Sequence, residues 1–145
     1  MANRHVLALL VSTSLSTLIF LMTLGNLERN VLGVSGPEYV GIFWVCFFAI
    51  SMLVVHKHPT SRWVTTILLV LSSYSAAILT ANVATLLRIG WNGLVGSVLN
   101  NGLLATAAGE FFAPLYALVW IKGLLAAAIY LGIHTAFEHS KAAQA

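Results

Sequence analysis

The sequence predicts an all-α integral membrane protein, a bundle of four transmembrane helices, and two observations support that class. Hydrophobic residues make up 59% of the 145 residues, charged residues only 8%, and the mean hydropathy is +0.93. A soluble domain carries about 25% charged residues. The apolar residues also fall into long stretches separated by turn signals, which leaves room for one transmembrane domain over residues 1–145.

Four apolar stretches approach the roughly 20 residues that a helix needs to cross a bilayer. They run from about His5 to Asn26, from about Tyr39 to Val55, from about Trp63 to Leu87 and from about Phe111 to Phe137. The first is predicted to be a retained helix and not a signal peptide. Its apolar part is longer than the usual stretch of about 7–15 residues, and "TLGNLERN" is a poor cleavage site.

The turns before the second and third helices carry start signals. In "VSGPEY", Ser35 is predicted as an N-cap, with Pro37 at the first helical position and Glu38 completing a capping box. In "HKHPTSRW", Pro59 interrupts the chain and either Thr60 or Ser61 is predicted to cap the third helix.

The connection between helices three and four is less clearly defined. "IGWNGLVGSVLNNGLLATAAGE" is half apolar and rich in Gly and Asn. Its Gly content favours an interfacial segment first, a re-entrant segment second and a fifth span over residues 92–109 last. A fifth span would move the C-terminus to the other side of the membrane.

The basic residues predict the orientation of a four-span chain in the cell (inner or plasma) membrane. Both termini then fall on one side, and the basic residues divide four to two in favour of that side. They are Arg4, Lys57, Arg62 and Lys141 on the terminal side, and Arg29 and Arg88 on the other. Cytoplasmic segments carry the excess of Lys and Arg. We therefore expect cytoplasmic N- and C-termini.

All five histidines fall on that same predicted side: His5, His56, His58, His134 and His139. Neutral imidazole ligates iron, copper and zinc, so His56, His58, His134 and His139 are candidate metal ligands. Their spacings of two and five residues do not form the i, i+4 pair of a helical metal site. The sequence therefore favours interfacial histidines near helix ends, and requires no metal.

Small residues recur at helical spacing on two of the predicted helices. The first carries Ser12, Thr13, Ser16 and Thr17, and the third carries Ser73, Ala76, Ala77, Thr80 and Ala84. Small side chains let helices approach closely in membranes. We therefore expect helices one and three to form the inner contact of the bundle.

Lys122 lies near the middle of the fourth apolar stretch, and no acidic residue lies inside any predicted span. A lysine at the centre of a membrane helix costs about 2.5–3.5 kcal/mol on insertion scales. One interpretation is a side chain that reaches towards the interface, or a fourth helix that begins earlier. The other is a buried partner supplied by a second subunit, a lipid headgroup, a haem propionate or a quinone. Lys122, His56 and His134 are therefore the candidate cofactor-binding residues.

Three segments resemble one four-helix half of the haem A synthase family: "FLMTLGNLERNVLGVSG", "PEYVGIFWV" and "LYALVWIKGLLAAA". The resemblance implies a Gly-rich turn after helix one, a Glu on helix two, and axial histidines on helices two and four. This chain departs from that pattern, because the two histidine positions fall at Gly41 and near Lys122. Haem ligation is therefore not implied there, and the family is not assigned.

No stretch of the sequence carries a catalytic motif, and the single Cys46 excludes an intrachain disulfide or a thiolate metal cluster. The leading expectation is a non-catalytic accessory or structural subunit of a larger membrane complex. Its partners are then the lipid bilayer and other membrane subunits or further copies of this chain, without nucleic acid. The alternative is a small redox module that binds haem or quinone. A small exporter or channel ranks third, because no carboxylate lies within a span.

Overall fold

The computed structural model describes residues 2–32, 37–55, 61–102 and 113–142, and they are helical almost throughout. Within these described residues lie four helical elements: α1 over Ala2–Leu32, α2 over Pro37–Val55, α3 over Arg62–Asn101 and α4 over Ala113–Ala142. The all-α prediction is confirmed. Pro37 begins α2 as expected, whereas Ser35 and Thr60 lie outside the described residues.

Ser61 occupies the N-cap position of α3, with extended backbone angles of φ −139° and ψ 136°. Its carbonyl accepts the first helical bond, from Thr65 N–H at 2.9 Å. Its side chain makes no capping hydrogen bond, so Ser61 starts the helix through its backbone alone.

The four helices pack as a ring in which α1 contacts α2 and α4, and α3 contacts the same two helices. Sequential helices are neighbours and the first closes against the last, as in an up-and-down bundle. Among the described residues α1 and α3 therefore lie diagonally, without an extensive contact. The expected contact between helices one and three is wrong. A small-residue stripe marks a buried face but does not specify which neighbour covers it.

The small polar residues of α1 do face the interior. Ser12, Thr13, Ser16 and Thr17 are all buried. Their hydroxyl groups donate to carbonyls one turn earlier in the same helix, as Thr13 Oγ1 does to Leu9 O at 2.8 Å. The hydroxyls are satisfied within their own helix, so they can be buried without partners on other helices.

Apolar side chains fill the ring in two clusters. One lies near the N-terminal end of α1 and comprises Ala8, Leu9, Val55, Leu69, Ala127 and Tyr130. The other lies nearer the opposite end and comprises Phe43, Phe47, Ala76, Val119 and Ala126. Each cluster contains residues of at least three helices, so apolar contacts connect the helices across the interior of the ring.

Three helices contain segments long and apolar enough to cross a membrane: Arg4–Thr23, Arg62–Thr80 and Leu118–Phe137. The apolar segment of α2, Val40–Val55, is shorter. Large apolar side chains also cover the outside of the helices, including Met22, Leu53, Leu71 and Leu124. An apolar outer surface of this kind suits contact with lipid. The chain is a multi-pass membrane protein.

The connection after the third predicted span is helical where it is described. α3 is interrupted only at Gly90, whose φ of 72° and ψ of 178° are not helical, and then continues to Asn101. Gly102, with φ 79°, ends it and donates its N–H to Val98 O at 2.8 Å. Gly93 and Gly96 lie within the helix, so the high glycine content of this segment did not make it a loop. The described part of this segment is too short to form a span.

Candidate functional site

Gly123 sets the closest approach between α3 and α4. A Cβ at this position would lie 2.6 Å from Val70 Cα and 2.8 Å from Ser73 Oγ, which real Cβ atoms do not allow. Ser73 Oγ has one proton, and it lies 2.7 Å from Val70 O of its own helix and 3.1 Å from Val119 O of α4. The missing side chain at Gly123 allows the two backbones to lie this close, and this contact sets the rotation of α4.

That rotation turns Lys122, the preceding residue, into the ring. Lys122 is only 6% exposed. Its Nζ lies 4.3 Å from the centroid of the Phe20 ring on α1 and 4.4 Å from that of Phe43 on α2. Each distance suits a cation–π interaction. The buried charge that the sequence singled out is therefore held by aromatic rings of its own chain.

Lys122 is the tenth of the 30 residues of α4, so it lies in the N-terminal third of that helix. Helical side chains lean towards the helix N-terminus. The side chain of Lys122 therefore leans towards the nearer end of α4.

An open groove of about 440 Å³ lies on the outside of the α1–α2 pair. It is mainly apolar, and is lined by Ser14, Thr17, Leu18, Leu21, Val40, Gly41 and Trp44. These residues lie at the same helical levels as Phe20 and Phe43. Gly41 is exposed, and a Cβ there would meet nothing within 4 Å. We call this feature the α1–α2 groove.

Three polar side chains converge near the start of α1 and the end of α4, and we call them the histidine cluster: His5, Tyr130 and His134. His5 Nδ1 lies 3.1 Å from Tyr130 Oη and 3.2 Å from His134 Nε2. The two imidazole centroids are 4.8 Å apart. The cluster joins the first helix to the last and so closes the ring.

Arg4 and Phe137 lie beside this cluster, with the guanidinium carbon 5.8 Å from the ring centroid. His5 is the second residue of the span Arg4–Thr23, and His134 is the fourth from the end of Leu118–Phe137. The cluster therefore lies close to one end of both apolar segments.

The other predicted site residues do not join the cluster. His139 is exposed, five residues beyond His134 on α4. His56 and His58 lie outside the described residues. Lys122 is twelve residues from His134, about 18 Å along the helix at 1.5 Å per residue. Cys46 is a free, half-buried thiol on α2.

The described part of the chain contains no group of three His, Cys, Asp or Glu side chains placed to hold a metal ion. The His5–His134 pair, as placed, does not accommodate a haem between its rings. Two axial nitrogens on opposite sides of an iron lie about 4 Å apart, twice the usual metal–nitrogen distance. The observed separation is 3.2 Å.

Of the three cluster residues, only His134 was predicted from the sequence as a metal- or cofactor-binding candidate. Part of the signal was present, because Tyr130 and His134 are four residues apart and so share one face of a helix. His5 is 129 residues from His134 in sequence, and only the closing of the ring brings them together.

No protein-family model, curated protein or solved structure matches this chain.

Proposed function

We propose that this protein is a non-catalytic subunit of a larger membrane protein complex, and that the α1–α2 groove receives a transmembrane helix of a partner subunit. The main support for the proposal is Gly41, an exposed glycine on a helix surface with open space around its Cβ position. Glycine within a helix costs about 1 kcal/mol relative to alanine. Close approach of a second helix is the benefit that offsets this cost in membranes.

The shape and chemistry of the groove suit a helix. Its walls are formed by Leu18 and Leu21 on one side and Trp44 on the other. It lies within the apolar segments of both helices, so an occupant would be in the hydrocarbon region. Its volume of about 440 Å³ is large enough for several apolar side chains, and it is open to the outside of the bundle. Small residues beneath large apolar walls are typical of helix–helix contacts in membranes.

The proposal does not depend on Lys122. Phe20 and Phe43 of the same chain contact its ammonium group, so a partner's carboxylate is not needed to explain its burial.

The topology that we propose with this role has four spans and both termini in the cytoplasm. An even number of crossings places both chain ends on one side. The excess of basic residues on that side supports its assignment to the cytoplasm.

Two exposed glycines with open space around the Cβ position are compared in the test: Gly41 in the groove and Gly132 on α4. Native membranes containing the Gly41→Leu or Gly132→Leu protein are solubilised in a mild detergent and separated by native electrophoresis. We expect the wild type and Gly132→Leu to migrate in one large complex and Gly41→Leu to migrate free. Equal circular dichroism and thermal melts of the purified variants establish that both fold.

A photo-crosslinking residue at Leu18, in the groove wall, identifies the occupant, and one at Leu124, on the outer surface of α4, is the control. A cross-link to a different membrane protein from position 18 alone supports the proposal. Cross-links only to lipid, or only to a second copy of this chain, overturn the partner assignment. Retention of Gly41→Leu in the complex overturns the groove as the contact.

A further inference from the structure

We infer that the histidine cluster binds a divalent transition-metal ion of the zinc and copper class, through His5 Nδ1, His134 Nε2 and Tyr130 Oη. This inference is independent of the subunit role, because His5 lies at the start of α1, nine residues before the first residue of the α1–α2 groove. It rests on the juxtaposition of three donor atoms from two helices.

The separations match those of metal ligands. Two nitrogens 3.2 Å apart, each at the usual zinc–imidazole distance, subtend about 100° at the metal, close to the tetrahedral angle. Tyr130 Oη, at 3.1 Å from the same His5 nitrogen, has nearly the same spacing. Imidazole suits zinc, copper and nickel, and the phenol oxygen supplies a third donor.

Hydrogen bonds alone account for the convergence of these three atoms less well than a shared metal ion does. His5 Nδ1 lies within hydrogen-bond distance of both Tyr130 Oη and His134 Nε2. A ring nitrogen has either one proton or one lone pair, so it bonds well to a single neighbour at a time. A cation placed among the three atoms would accept a lone pair from each of them.

The location allows an ion to enter and remain. His5 and His134 are half-buried at the boundary of the apolar region, while Tyr130 is buried beneath them against Leu9 and Ala127. Metal binding would release the phenol proton of Tyr130 to water, because the coordinating oxygen is the phenolate. Three protein donors leave a fourth position for a water molecule.

The experiment uses the full-length protein without a polyhistidine tag, purified in detergent after treatment with a chelator. Isothermal titration with Zn²⁺ is compared for the wild type, His5→Gln, His134→Gln and Tyr130→Phe. His139→Gln is the matched control, because His139 is an exposed histidine on the same helix. We expect one equivalent of Zn²⁺ to bind to the wild type and the control, and affinity to fall by more than about tenfold in each cluster variant.

A second measurement needs no variant and so does not depend on variant folding. Cu²⁺ added to the wild-type protein in one equivalent should give an electron paramagnetic resonance spectrum with hyperfine structure from two nitrogens. Absence of saturable Zn²⁺ binding overturns the inference. So does binding that persists unchanged in His5→Gln and His134→Gln but is lost in a His56→Gln/His58→Gln protein, since the ion would then lie elsewhere.

Discussion

The indole N–H of Trp44 donates a hydrogen bond to Ser14 Oγ at 3.0 Å, and this bond joins α2 to α1 at the wall of the α1–α2 groove. Both residues line the groove, so the contact that holds the two helices together also shapes the surface offered to a partner. An indole N–H in an apolar environment must have an acceptor, and here the acceptor is a serine thirty residues earlier in the chain.

Ser14→Ala should therefore destabilise the isolated protein by about 1 kcal/mol, because the Trp44 N–H loses its acceptor. Unfolding by increasing fractions of SDS in mixed micelles, followed by circular dichroism, measures the change. Ser75→Ala is the control, since Ser75 is exposed and bonds only to Leu71 O of its own helix. Equal midpoints for the two variants would show that the bond contributes nothing.

Gly123→Ala should destabilise the bundle by about 1–3 kcal/mol, the usual range for overpacking. The new methyl group would meet the α3 backbone at Val70 Cα, which cannot move aside as a flexible side chain can. Gly132→Ala meets nothing within 4 Å and should stabilise α4 by up to about 1 kcal/mol through helix propensity. The same SDS titration compares them, and shifts of the same sign would contradict the close α3–α4 contact.

Lys122→Met should leave the isolated protein as stable as the wild type or more so. The substitution removes an insertion cost of at most about 2.5–3.5 kcal/mol at mid-membrane and gives up cation–π contacts worth about 0.5–2 kcal/mol. A melting midpoint well below that of the wild type would indicate that Lys122 makes a stronger contact than the two rings provide.

The contact between Lys122 and Phe43 can be isolated by a double-mutant cycle. We expect Phe43→Leu to destabilise the wild type more than it destabilises Lys122→Met, with a coupling of about 0.5–1 kcal/mol. The ring's packing is lost in both backgrounds, so the difference reports the cation alone. A coupling within experimental error of zero would mean that the 4.4 Å approach has no energetic value.

Reporter fusions test the topology. We expect a reporter at the N-terminus and one at the C-terminus both to report the cytoplasm. An extracytoplasmic C-terminal reporter with a cytoplasmic N-terminal one would instead require an odd number of spans. Residues 92–109 would then be the candidate for the additional span.

The helices themselves were predictable because each is a long apolar stretch bounded by turn residues. The course of the chain after Leu87 was not predictable in the same way. Glycine and asparagine suggested an irregular segment, yet the chain stays helical to Asn101 and departs from helical angles only at Gly90. Glycine lowers helix stability by about 1 kcal/mol without forbidding a helix, so composition could not locate the break.

The candidate site was less predictable than the fold, for a geometric reason. The position of Lys122 within an apolar stretch could be read from the sequence, but its aromatic neighbours lie on two other helices. His5 and His134 likewise come from the first and last helices. The order of helices around a ring decides such contacts, and periodicity within a single helix carries no information about that order.

The contact between α1 and α4 has a consequence for the order in which the bundle assembles. During synthesis α1 enters the membrane first and α4 last, so the face of α1 that packs against α4 stays uncovered until α4 has been made. His5 meets Tyr130 and His134 only at that stage. The contacts of α2 with α1 and α3 can form earlier, so insertion of α4 is the step that completes the ring.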